Sequence, residues 1–190
     1  VKKDIDVLFV GSLKHRRKRM LEELKKDFNV SVATVFGKDM ADLLSRAKIV
    51  LNIHAEEHVD TETRVFETLG SGVFLITETL GKESPFVNEK HLVEVGGLQE
   101  MKEKIAFYLK NEEAREKIAL AGFNEARSKH TYSERAKQLC LVMENYIRAS
   151  ASKNTPPLDR EKIRAHVFAE KIDFIKFFLE DVCARLKHNV

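Results

Sequence analysis

Asp4-Ile-Asp-Val-Leu-Phe-Val-Gly11 is a short, nearly continuous apolar run closed by a glycine. A strand buried on both faces of a parallel sheet reads this way, whereas a half-exposed strand alternates apolar and polar residues. Leu13 to Lys26 then shows helical spacing, with Leu13, Met20, Leu21 and Leu24 on a mostly charged background. Val30 to Phe36 is a second β-rich run, closed by Gly37. Asp39 is placed to cap a helix running to about Ala47, with Met40, Leu43 and Leu44 on one face. Ile49-Val-Leu-Asn-Ile-His54 reads as a third strand, Val73-Phe-Leu-Ile-Thr77 as a fourth and His91 to Val95 as a fifth. Between the third and fourth, Asp60 or Thr61 starts a helix through Phe66 and Leu69 that ends at Gly70 or Gly72. Strict strand–helix alternation predicts right-handed βαβ units. The class is α/β, a Rossmann-like doubly wound parallel sheet of about five strands.

Beyond Gly97 the alternation stops and C-terminal helices follow. Leu98 to Leu109, Glu112 to about Ser128 and Ser133 to about Ala149 all have helical periodicity. Ser150 to Pro157 is a linker by composition. Asp159 to Lys187 predicts one long amphipathic helix or a helical pair. The expected organisation is a domain over residues 1–149, a linker over 150–157 and a helical extension over 158–190.

Composition narrows the functional classes. The chain has 190 residues, 43% hydrophobic and 33% charged, so it can bury a core of ordinary size. A net charge of +3 is too balanced to call for a nucleic-acid partner. Only two cysteines, Cys140 and Cys183, fit a reducing compartment, and a cytoplasmic location is expected. No apolar run reaches the ~20 residues of a membrane-spanning helix, and no signal peptide precedes the first strand. The chain starts at Val1 rather than Met, which reads as a processed or excised piece.

In an open parallel sheet, ligands sit beyond the carboxyl ends of the strands where strand order reverses. The loops that start at Gly11, Gly37, His54 and Thr77 are therefore the candidate ligand border. The first reads Gly11-Ser-Leu-Lys-His-Arg-Arg-Lys-Arg19. Its glycine permits a sharp turn, the helix start offers free N–H groups, and Lys14, Arg16 and Arg17 add positive charge. Together they suit a phosphate or diphosphate. Successive helix positions are about 100° apart, so only some of these cations can point inward. Lys18 and Arg19 read more simply as a solvated face. Neither Gly-x-Gly-x-x-Gly nor a Walker A lysine is present.

His54-Ala-Glu-Glu57-His58 matches the spelling His-x-x-Glu-His of one zinc-protease class. That chemistry needs both histidines on one helix face, whereas His54 here ends a strand, so no metal site is expected. The sharpest element is Arg64-Val-Phe-Glu67, in the first turns of a helix whose amides face the ligand edge. Arg64 can meet a phosphate. Glu67, three residues on, can accept hydrogen bonds from both vicinal hydroxyls of a ribose. The plain alternative is an ordinary surface Arg–Glu pair.

Three stretches, Leu51-Asn-Ile-His54, Arg64-Val-Phe-Glu-Thr-Leu-Gly-Ser-Gly72 and His130-Thr-Tyr-Ser-Glu-Arg-Ala136, resemble the spore-maturation-protein-like glycosyltransferases of the group 1, GT-B set. Val7-Leu-Phe-Val-Gly-Ser12 and Ala121-Gly122 fit the same pattern, and the likeness runs from about Asp4 to Tyr146. The resemblance implies the C-terminal, donor-binding half of a two-domain hexosyltransferase, with a nucleotide-sugar donor as partner. An N-terminal Rossmann-like domain or a partner subunit would complete it, and this fragment would not catalyse alone. By the same resemblance Glu67 holds the ribose, Gly11, Ser12, Arg16 and Arg64 surround the diphosphate, and the residues after Gly37 and Thr77 border the nucleobase. No cofactor or divalent metal is implied, because basic side chains and helix dipoles stabilise the leaving diphosphate. Group 1 members often carry Glu-x7-Glu. Here Val59 stands eight positions before Glu67, so no catalytic residue is named. The competing expectation is a non-catalytic Rossmann-like scaffold or assembly module.

Overall fold

A computed structural model describes residues 1–55 and 61–152. The chain divides into two compact units, Val1–Lys137 and Gln138–Val190. The first holds the sheet. Its elements are β1 (Ile5–Val10), α1 (His15–Leu24), β2 (Val30–Ala33), α2 (Gly37–Arg46), β3 (Ala47–Asn52), α3 (Thr63–Gly70), β4 (Phe74–Glu78), β5 (Val93–Val95), α4 (Leu98–Lys110) and α5 (Glu112–Lys129). The helix α6 (Tyr132–Ser152) begins in the first unit, and its residues from Gln138 belong to the second. Ser150 to Ser152, expected in the linker, are helical. The rest of that linker and the expected helix over 158–190 lie outside the described residues.

All five strands are parallel, in the order β2-β1-β3-β4-β5. The chain builds outward from β1 on one side through β2, then returns to the other side with β3, so strand order reverses between β1 and β3. Val7 is opposite Val30 on one flank and Ile49 on the other. The expected α/β, Rossmann-like doubly wound sheet is present.

Strand side chains alternate between two cores. Val7, Phe9, Ile49, Leu51, Phe74 and Ile76 face α1 and α4, through Met20, Leu21, Leu24, Met101 and Ile105. Leu8, Val10, Val50 and Leu75 face α2 and α3, through Met40, Leu44, Val65 and Leu69. Both faces are covered, which is why β1 and β3 read as continuous apolar runs.

α5 contributes to both cores, with Ile118 and Ala119 on one side and Ala126 on the other. Its Gly122 lets the helix approach the backbone before β5. A Cβ at that position would overlap the His91 carbonyl oxygen and come within 2.9 Å of Leu69 Cδ2.

Local boundaries differ from the sequence reading in ways that trace to hydrogen bonding. α2 starts at Gly37, not at Asp39, because the turn is made by Gly37 with φ of +58° and no side chain caps the helix. β3 begins at Ala47 and ends at Asn52, so Ile53 and His54 lie beyond the ladder although both are buried.

Candidate functional site

The carboxyl ends of β1 and β3 open toward the starts of α1 and α3, and charged side chains converge there. Gly11 N–H donates to the Ala33 carbonyl at 2.9 Å, extending the β1–β2 ladder by one bond before the chain turns. A Cβ on Gly11 would sit 3.1 Å from the Phe9 ring, so a larger residue would press on that side chain. Lys14 is the N-cap residue of α1 and makes no side-chain cap bond.

Arg16 and Arg17 follow in the first turn of α1. Arg16 Nη1 donates to the His54 carbonyl at 2.9 Å and to Glu78 Oε2 at 2.7 Å, while Nη2 donates to Glu78 Oε1. Glu78 ends β4 and also accepts the His54 backbone N–H at 2.7 Å. Burial pushes the Glu78 carboxyl upward, but the Arg16 guanidinium and the His54 N–H outweigh it and hold the group below its usual range. Arg17 Nε donates to the Ile53 carbonyl at 2.7 Å, and Nη1 reaches Ser12 Oγ at 3.4 Å. Arg17 Nη2 donates to both Glu62 oxygens, at 3.2 and 3.1 Å.

His54 ties these pairs together. Its Nε2 lies 3.0 Å from the Thr79 carbonyl, which can only accept, so Nε2 carries a proton. Nδ1 then faces Glu62 Oε1 at 3.5 Å. A second proton on the ring is favoured there. The Glu62 contact raises the His54 pKa against the opposing effect of burial, and the Thr79 carbonyl adds to the rise.

Arg64 and Glu67 form a separate pair on α3, with Arg64 Nη1 2.9 Å from Glu67 Oε2 and also in contact with Met40 Sδ of α2. The Arg64 side chain is 14% exposed and that of Glu67 42%, so the carboxylate is open to a ligand. Gly37, at the start of α2, carries the same helix as Met40. Thr77 is fully buried, accepts from Asn52 Nδ2 at 3.1 Å and donates to the Glu78 carbonyl at 2.9 Å. It is a sheet residue. Its chain neighbour Glu78 carries the charge at this edge.

Ser12, Arg16 and His54 are thus joined in one hydrogen-bonded network, which Gly11 borders. Arg17 belongs to the first-loop cations expected to meet a phosphate, whereas Glu62 and Glu78 are members that the sequence reading did not single out. The signal for Glu78 was its place at the end of the same run as Thr77. Glu62 precedes the Arg64 motif by two residues. Among the described residues no group of three or more His, Cys, Asp or Glu is placed to hold a metal ion. Glu56, Glu57, His58, Val59 and Asp60 lie outside them.

A parallel sheet with a single order reversal and helices on both faces defines a Rossmann-like domain. The chain belongs to the glycosyl transferase-like family, whose family model matches residues 3–141. The fold is similar to Anabaena HepE, solved in complex with UDP-glucose, with a TM-score of 0.56 and 13% identity over 73% of this chain and 40% of that one. This chain therefore spans about two fifths of the HepE chain. A second similar structure is the C-terminal domain of a group 1 family glycosyl transferase, LpcC, from Francisella tularensis. It has a TM-score of 0.46 and 19% identity over 62% of this chain and 63% of that one. No match is found among curated proteins. Among the described residues no helix is long and apolar enough to cross a membrane.

Proposed function

We propose that this chain is the donor-nucleotide half of a GT-B glycosyltransferase that moves a sugar from a nucleoside-diphosphate sugar to an acceptor. The observation that carries the reading is the pairing of two features at one sheet edge. One is the Arg16–Arg17 cation pair beyond β1 and β3, suited to a diphosphate. The other is the half-exposed Glu67 carboxylate in α3, suited to ribose hydroxyls. The UDP-glucose bound by HepE supports a uridine sugar as the first donor to try. The order and spacing of the His54, Glu67 and Tyr132 motifs support the narrower spore-maturation-protein-like subgroup.

In this reading Gly11, Ser12, Lys14, Arg16, Arg17, His54 and Arg64 border the diphosphate, the residues after Gly37 and Thr77 border the base, and an N-terminal domain or partner subunit completes the cleft. Thermal melting with UDP, GDP and ADP tests it. A ligand at about a hundred times its dissociation constant stabilises by ~2.7 kcal/mol. No shift with any of the three at millimolar concentration removes the reading.

One observation favours the alternative of a non-catalytic scaffold. Both Arg16 and Arg17 already carry internal carboxylates, Glu78 and Glu62.

A further inference from the structure

The two internal ion pairs are not equivalent. Glu78 is buried at the end of β4 and is bonded to Arg16 and to the His54 backbone, so it belongs to the framework of the sheet edge. Glu62 is different. Its side chain is 29% exposed, and it lies on the loop side of the crevice as the N-cap residue of α3. Its carboxylate makes no capping bond to that helix. The helix start is served instead by the Glu62 backbone carbonyl, which accepts the Val65 N–H at 3.0 Å. The side chain is therefore not needed to begin α3, and it turns toward Arg17, His54 and the Ala55 backbone N–H.

Arg17 is held independently of Glu62. Its Nε is fixed by the Ile53 carbonyl beyond β3, and its guanidinium lies 5.6 Å from the centroid of the β1 ring Phe9. Those two contacts place a largely buried guanidinium, 11% exposed, where strand order reverses. Among the described residues Glu62 is the one carboxylate within ion-pair distance of it. One terminal nitrogen, Nη2, meets both Glu62 oxygens, and a phosphate presents a pair of oxygens that can take the same nitrogen.

We infer that Glu62 is an internal stand-in for phosphate: it occupies Arg17 Nη2, and a diphosphate ligand binds that nitrogen by displacing it. The inference rests on the donor-nucleotide reading for the identity of the ligand, but its anion chemistry can be tested without a nucleotide. Displacement takes Glu62 off Arg17 Nη2 and away from the Ala55 N–H, and leaves its charge to water, which a partly exposed carboxylate tolerates. His54 loses the carboxylate beside Nδ1 in the same step.

The test is calorimetric titration of the full chain with inorganic pyrophosphate and, separately, with UDP. Wild type is compared with Glu62→Gln and with Glu113→Gln, an exposed α5 position that makes the same change in net charge. Glu62→Gln should bind both anions about fivefold tighter than wild type, the size expected when a partly exposed ion pair no longer competes. Glu113→Gln should match wild type. In the wild-type protein, the Glu62 carboxyl carbon resonance should shift as pyrophosphate is added, a reading that needs no variant to fold. Equal or weaker pyrophosphate binding by Glu62→Gln, or an unmoved Glu62 resonance at saturation, overturns the inference. Tighter pyrophosphate binding with no UDP binding to either protein upholds it and removes the donor reading. Equal UDP binding by wild type and variant upholds the donor reading and removes the inference, and no binding of either anion removes both.

Discussion

Glu78 grips both terminal nitrogens of Arg16 and accepts the backbone N–H of His54 at 2.7 Å, so one carboxylate joins α1 to the ends of β3 and β4. Replacing it tests the framework of the crevice. Glu78→Ala strands a buried N–H and part of a guanidinium, and should lower stability by about 2 kcal/mol in urea unfolding. Glu78→Gln should cost less, because an amide oxygen still accepts the His54 N–H. Equal midpoints for wild type and both variants would show that the joint contributes nothing.

Glu67 should behave in the opposite way. Its pair with Arg64 is a three-residue-spaced contact with a half-exposed carboxylate. Glu67→Ala should therefore change stability by no more than about 0.5 kcal/mol. Loss of hydrogen bonds to a charged group should weaken nucleotide binding by about tenfold or more. Unchanged nucleotide affinity in a stable Glu67→Ala protein supports the scaffold alternative.

Gly122 is a packing position. A methyl group there meets the His91 carbonyl, a backbone group that cannot swing away, and the tip of the fully buried Leu69 side chain. Gly122→Ala should destabilise by about 1–3 kcal/mol despite the better helix propensity of alanine. A stabilised Gly122→Ala protein would contradict the close approach of α5.

Three histidines should titrate on opposite sides of the ordinary value. His54 is raised by Glu62, whereas burial lowers His91 and His130. His91 Nδ1 accepts the Val87 N–H at 3.2 Å. His130 packs edge-on against Phe66 and Phe86, its Nδ1 is 3.0 Å from Arg135, and its Nε2 lies 3.6 Å from Glu125 Oε1. Glu125 faces both rings but does not outweigh their burial. For His91 and His130 the unfolded chain binds protons more readily, so their contribution falls as pH drops below the unfolded value near 6.5. The His54 contribution is complete below the unfolded value and is lost as pH rises through its higher folded pKa. Ring-proton shifts followed by NMR from pH 5 to 8 should separate one high from two low midpoints. Coincident midpoints would contradict the arrangement.

The sheet was legible because its central strands are buried on both faces, and Ile5 to Val10 reads as one apolar run for that reason. The α2 start was not, since it depends on a positive φ at Gly37 and not on the expected cap at Asp39. The meeting of Gly11, Arg16 and His54 followed from a general rule about where parallel sheets reverse. Their carboxylate partners did not follow, because Arg16 and Glu78 stand 62 positions apart and no local pattern connects them. Thr77 shows the same limit at the scale of one residue. Its hydroxyl turns into the sheet toward Asn52, and the next side chain carries the charge.

The position of β1 between β2 and β3 also governs the order of assembly. β1 precedes in the chain every strand it pairs with, and Ile5 meets Ala47 across the whole of the intervening β2 unit. Such contacts close long loops and form late. The Arg16–Glu78 bridge adds β4 to the requirement, so the charged network is complete only once β1, β3 and β4 are side by side. A chain in which β4 has not joined β3 lacks the Arg16–Glu78 bridge, so that ion pair reports on complete assembly of the sheet edge.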